Sequence, residues 1–369
     1  MTPRAPVWLT EPSRYAALSQ PRARIALVAL ALLLLATLLA LASPAAPLAN
    51  PTAGDDQHDI LLYETIVQGL RGGGDYYGVT GQALRTAEYP MRPFFAFRLP
   101  TLAVVEAALP LFVTMTLLYA LVAGVGYVWY LRLGGVFDRP APRLIALALL
   151  AGGLIAFTQG DLFALHEIWS GLLIALSLAL RREDKWIEAV AIGLIAMLIR
   201  ETAALYVCVM ALFAIAEGRR REALGWAATL GVLAIVVALH AHAVAMVVRE
   251  TDPAAPGLAA LPGFGIFVTT MQQSTALTFA PFWLAAPLVA LALFGWSAWR
   301  SALALRALAV FVAYALLLAL FGRADSFYGG LMIAPTFLIG LAFAPDGLRD
   351  LIAAARGPRR KIIVTRVTR

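Results

Sequence analysis

Long unbroken apolar runs recur along this chain, and they limit its possible folds more than any other feature. The first, at 25–41, consists of Ala, Leu, Ile and Val interrupted only by Thr37. Runs near the ~20 residues that cross ~30 Å of hydrocarbon leave only helices or a closed barrel as spanning structures. Barrel strands alternate apolar and polar residues, and these runs do not. The chain therefore reads as an all-α polytopic membrane protein. Its composition agrees: 61% hydrophobic and 14% charged, against about 45–50% and about 25% for soluble domains.

Polar breaks divide the runs into about ten expected transmembrane helices, forming a single integral-membrane domain over 1–369. Spans are expected near 23–43, 100–130, 223–247, 278–298, 306–321 and 328–344. Two more pairs come from splitting 144–180 at TQGDLFALHE and 186–217 at Arg200–Glu201–Thr202. A charged pair at mid-membrane is costly, so a break there is the cheaper reading. The chain then has a long first loop at 44–99, a second at 249–277 and a basic tail at 346–369.

The net charge of +7 comes from short basic clusters between spans. Such clusters orient membrane proteins, so they give no reason to expect nucleic acid as a partner. With ten spans, 22 Lys/Arg fall on the side of the termini and seven on the other. The positive-inside rule then places both termini in the cytoplasm and the first loop outside. The lone Cys208 sits in an apolar run, which leaves no disulfide framework and no cysteine metal site.

Candidate chemistry collects on the outer side. Asp55 and Asp56 directly follow the first span, where a carboxylate can accept a proton from a hydroxyl or bind a divalent cation. His58 follows them on QHDILLYETIVQGL, whose Ile60, Tyr63, Val67 and Leu70 make an apolar stripe suited to the membrane surface. Tyr76 and Tyr77 follow a glycine turn and suit either sugar stacking or interfacial anchoring. Arg92 and Arg98 stand at the mouth of span two, and guanidinium matches phosphate geometry. His166–Glu167 opens a later span, with Glu167 as a second acid or metal ligand and His166 as its hydrogen-bonding neighbour. Arg200 is a phosphate candidate supported by Glu201. Arg323 and Asp325 form a further polar turn.

GDD after a first span, GGGDYYG, and YPMRPFFAFRLP before the second resemble the GT-C superfamily of polyprenyl-phosphate-sugar-dependent glycosyltransferases. HEIWSGLLIALSLALRR at 166–182, IRETAALY at 199–206 and GRADSFYGGLMIAP at 322–335 are similar to its bacterial integral-membrane members. The resemblance implies a GT-C-like fold in the bacterial cytoplasmic (inner) membrane, with a polyprenyl-phosphate-linked sugar donor and membrane lipid as partners. It implies inverting transfer to a lipid, glycan or protein acceptor. Asp55 or Asp56 would be the base, with Asp161 or Glu167 assisting and Arg92, Arg98 or Arg200 holding the donor phosphate. Some members use a divalent cation such as Mg or Mn and others do not, so the cofactor stays open. The chain is short for that group and lacks the large soluble C-terminal domain of many members. The alternatives are a transporter or flippase of lipid-linked glycans and a non-catalytic membrane assembly protein.

Overall fold

The computed structural model describes residues 6–40, 53–255, 261–322 and 328–357, without the side chains of 53–57 and 161. Its helices are α1 (Gln20–Leu39), α2 (Ala53–Arg71), α3 (Tyr76–Thr86), α4 (Thr101–Ala108), α5 (Leu111–Leu133) and α6 (Pro140–Leu154). They continue with α7 (His166–Leu180), α8 (Ile187–Ile199), α9 (Ala204–Ala216), α10 (Arg220–Val247) and α11 (Phe264–Gln273). The last are α12 (Phe282–Ala298), α13 (Ala302–Phe321), α14 (Tyr328–Leu331), α15 (Ala334–Phe337) and α16 (Gly340–Arg356). Among the described residues there is no named strand, only two isolated bridges.

The protein is an all-α, multi-pass membrane protein, but the expected ten spans in a GT-C-like arrangement are not what forms. Among the described residues, five helices are long and apolar enough to cross: α1, α5, α6 with its extension to Thr158, α10 and α13. The segments split at Arg200 and at 158–167 do break, but α7, α8, α9 and α12 are shorter apolar helices. At 13–17 residues they reach about 20–25 Å at 1.5 Å per residue, short of ~30 Å of hydrocarbon. The expected span at 100–130 is interrupted at Pro110, between α4 and α5. The expected span at 328–344 divides into α14, α15 and the start of α16. Mean hydropathy measured the apolar content of these regions but not where their backbone turns.

α2 differs from a surface-lying amphipathic helix. Leu62, Ile66 and Val67 are buried in a small core with Tyr76, Leu84, Met91, Phe97 and Val244, while Leu61 is exposed. Its apolar face is covered by α3 and α4 rather than by headgroups. The turn before α3 uses Gly73 at φ +88°, a region open to glycine. Asp75 then caps α3, accepting from the Gly78 amide at 2.8 Å.

The main core lies among the apolar helices around Trp129 and Trp296, both fully buried. Their indole N–H groups donate to Ala175 O and Phe337 O, each at 3.0 Å, joining α5 to α7 and α12 to α15. Close helix contact depends on small residues. A methyl at Gly295 would overlap the Gly340 carbonyl, and one at Gly340 would overlap the Ala292 carbonyl, so α12 and α16 touch backbone to backbone.

The N-terminal segment is tied to α16. Asp346 is wholly buried and accepts from the amides of Val7 at 2.6 Å and of Trp8 and Leu9 at 2.8 Å each. Asp350 accepts from the Ser13 amide at 2.9 Å. The expected basic tail from 346 onward is therefore, as far as Arg356, a helix with buried carboxylates. Nearby in the bundle, Arg181 forms a two-point pair with Glu222, and the buried Arg306 pairs with Glu217. These arginines were expected only as orientation charges, yet Arg181 links α7 to α10 and Arg306 links α13 to the end of α9.

Candidate functional site

Opposite that end, four chain segments bring charges together in a largely apolar setting. Glu167 lies in the first turn of α7, where exposed helix amides favour an anion. Arg200 has extended backbone (φ −138°, ψ 110°), which stops α8 and turns Arg200 and Glu201 out of the helical stack. Tyr314 donates to the Thr202 carbonyl at 3.0 Å, supplying a partner near the break. Arg98 enters from the segment before α4, and Tyr63 from α2.

Arg200 is the tightly held cation. Its Nη1 donates to Glu201 Oε1 at 2.6 Å, and its Nε lies 2.7 Å from Glu167 Oε1, an ion pair without hydrogen-bond alignment. Arg98 sits more loosely, with Nη2 3.8 Å from Glu167 Oε1 and Nη1 3.9 Å from Glu201 Oε1. Its Nε donates to the Tyr63 hydroxyl at 3.2 Å. Two arginines thus offset two carboxylates, which burial of Glu167 requires. The Arg98 amines keep donor capacity that these distances do not use. Both ring nitrogens of His166 and Oε2 of Glu201 are buried without a hydrogen-bond partner beside them.

The backbone that carries Arg98 is fixed from two sides. Tyr76 donates to the Arg98 carbonyl at 2.7 Å. Burial pushes the Tyr76 hydroxyl well above its ordinary range, so it remains a donor. His240 places Nε2 3.2 Å from the Phe97 carbonyl and Nδ1 3.2 Å from the Tyr77 hydroxyl. A carbonyl can only accept, so the neutral ring carries its proton on Nε2 and accepts from Tyr77. Both tyrosine hydroxyls are thus engaged by partners within the protein.

Arg98 opens onto a cavity of about 180 Å³ walled by Tyr63, Tyr76, Tyr89 and Phe95, with Asp59 also on its lining. Tyr89 donates to Asp59 at 2.5 Å. Of the expected site residues, Glu167, Arg98, Arg200, Glu201, His166 and Tyr76 gather here. His58 lines a separate groove of about 500 Å³ between α2 and α3. Asp55 and Asp56 lie on α2, one turn before Asp59, with side chains outside the described residues. Arg323 and Asp325 also fall outside them.

Arg92 is engaged elsewhere, donating to the Asp252 carbonyl at 2.8 Å. The segment around Asp252 straps that around Arg92: the Met91 amide donates to Pro253 O at 2.9 Å and the Ala255 amide to Arg92 O at 2.7 Å. Arg85 meets both Asp252 oxygens at 2.9 and 2.8 Å. With the Arg249 amide, it holds the Asp252 carboxyl down at about 2. A lowered pKa contributes stability above the unfolded value of about 3.9 that disappears as pH falls through the folded value. Protease resistance of this strap is expected to hold from pH 7 to pH 4 and to fall between about 4 and 2. Asp252→Asn should remove that dependence.

Two site residues were not legible as such. Tyr63 reads as part of the apolar stripe of α2, and Asp59 as one of many loop carboxylates; their i, i+4 spacing was the available signal. Among the described residues, no group of three or more His, Cys, Asp or Glu could hold a metal. Glu167 and Glu201 face guanidinium groups, an arrangement that does not fit a divalent cation. No protein-family model matches the chain, and no curated protein or solved structure matches it significantly.

Proposed function

We propose that this protein transfers a sugar from a polyprenyl-phosphate-linked donor to an acceptor hydroxyl on the extracytoplasmic side of a bacterial inner membrane. The observation that carries this reading is Arg98, whose uncommitted donors face an aromatic cavity also lined by a carboxylate. At about 180 Å³ the cavity is smaller than the ~300–1,000 Å³ of a typical ligand pocket. It therefore suits a polar head alone, a phosphate or one sugar, with the lipid tail left in the membrane.

The acceptor oxygen attacks the anomeric carbon with inversion, its proton passes to Asp55 or Asp56, and the carbon–oxygen bond to phosphate breaks. Arg98 meets the charge that develops on the departing lipid phosphate. Glu167 and Arg200 position Arg98, and the tyrosines supply faces for the sugar ring. Right-side-out vesicles containing the protein, supplied with crude radiolabelled lipid-linked sugars, test the reading. Labelled product should form and fall by about 10²–10⁴-fold when the acting aspartate is replaced, as loss of a general base does. Normal transfer in both Asp55→Asn and Asp56→Asn would remove the base assignment. Movement of labelled lipid between leaflets without product would replace transfer with transport.

A further inference from the structure

A third recess lies between two spanning helices. α1 rests on α12 and α16, and α13 rests on α9, α11 and α12. Between α1 and α13 a groove of about 420 Å³ remains, floored by Leu293 and Phe294 of α12 and walled by Leu30, Leu33, Val312 and Leu316. Along α13 it runs from Leu308 to Ala319, about 16 Å at 1.5 Å per residue. That is about half of the ~30 Å hydrocarbon thickness, the depth of one leaflet.

The polar groups gather at one mouth. There the Tyr15 hydroxyl and Ser297 Oγ are hydrogen-bonded at 2.6 Å. Arg14 adjoins them, held by Nη2 contacts of 3.2 Å to Trp299 O and 3.4 Å to Ser301 O. Its Nε is buried with no hydrogen-bond partner. Those two carbonyls flank Arg300, and burial together with repulsion from Arg300 lowers the Arg14 pKa. Two adjacent cations, one with an unmet donor, above a leaflet-deep apolar slot are complementary to one class of membrane molecule.

We propose that this groove is a binding site for an anionic phospholipid, with an acyl chain between α1 and α13 and its phosphate at Arg14 and Arg300. The lipid belongs to the leaflet on the side of residues 14–19, separate from the Arg98 cavity. Its headgroup offsets the repulsion between the two guanidiniums, and its chain fills the gap between the two helices. The site does not depend on the proposed transfer reaction.

Native mass spectrometry of delipidated protein, with phosphatidylglycerol or phosphatidylcholine of matched acyl chains, tests it. Wild-type protein should bind phosphatidylglycerol about fivefold or more over phosphatidylcholine, the discrimination one cation near a headgroup supplies. Arg14→Gln with Arg300→Gln should bring the two lipids level. Ala29 is exposed on the groove wall, so Ala29→Trp fills the slot without entering the core and should lower binding of both. Circular dichroism confirms that each variant is folded. Equal binding of the two lipids by wild type, a preference that survives the double arginine change, or undiminished binding by Ala29→Trp overturns the proposal.

Discussion

Arg98→Gln is expected to lower sugar transfer by about 10²–10³-fold, the cost of removing one preorganised donor from a developing oxyanion. The loss should appear in kcat/KM while the folded protein persists. Arg98 stands 3.8–3.9 Å from Glu167 and Glu201, so its removal leaves the closer Arg200 contacts at 2.7 and 2.6 Å in place. Arg200→Gln should behave differently. It strips the nearest cation from two carboxylates, and an uncompensated buried charge costs about 3–5 kcal/mol. Arg200→Gln should therefore lose thermal stability first, with activity falling because the protein unfolds. Transfer by Arg98→Gln at the wild-type rate would remove Arg98 from the chemistry and leave the cavity without its assigned cation.

Asp346→Ala should be among the most destabilising single changes in the chain. It leaves the amides of Val7, Trp8 and Leu9 without their shared acceptor, a carboxylate that is itself wholly buried. Hydrogen bonds to charged groups contribute about 1.5–3 kcal/mol each. Because the freed segment can recover some hydration, a net loss of about 3–5 kcal/mol is expected. Asp346→Asn should recover part of the loss, since its amide oxygen can still accept from Trp8 and Leu9 while its N–H₂ faces the Val7 amide. The change also removes the 3.4 Å contact of Asp346 with Arg349, but Arg349 keeps its closer 2.6 Å contact to Asp350, so the lost amide acceptor is the larger part of the effect. Denaturation in detergent gives the size of the loss, and proteolysis around residues 6–18 shows whether this segment releases first. A wild-type melting curve for Asp346→Ala would contradict the docking described above.

The charged core of the site was readable because of its setting. Glu167 and the Arg200–Glu201 pair interrupt apolar sequence, where an ionisable group is expensive and demands a partner. Arg98 stood out as a cation at the start of a span. What could not be read was which charges meet. Arg92 and Arg98 look alike in YPMRPFFAFRLP, yet one binds the Asp252 carbonyl and the other reaches Glu167 and Glu201. Tyr63 was hidden for a related reason: a tyrosine on an apolar stripe has an aromatic body and a polar tip, and only α3 and α4 packing over α2 shows where the tip goes.

Helix lengths failed in the other direction. Apolar content gave a membrane protein and placed the breaks near 158–167 and 200, but it counted the short α7, α8, α9 and α12 as full crossings. Hydropathy sums transfer preference along the chain, and a buried short helix scores as well as a lipid-facing long one.

By itself the sequence determined the solvent this protein lives in, its helical class, and the positions where charge interrupts apolar chain. Those follow from local transfer energies, which each residue carries with it. The tertiary structure alone decided that five helices among the described residues are long enough to cross, that Arg98 stays available while Arg200 is closely paired, and that Asp346 anchors a segment 337–339 residues away. Those depend on geometry between distant groups, several of them backbone amides and carbonyls, which every residue type presents alike.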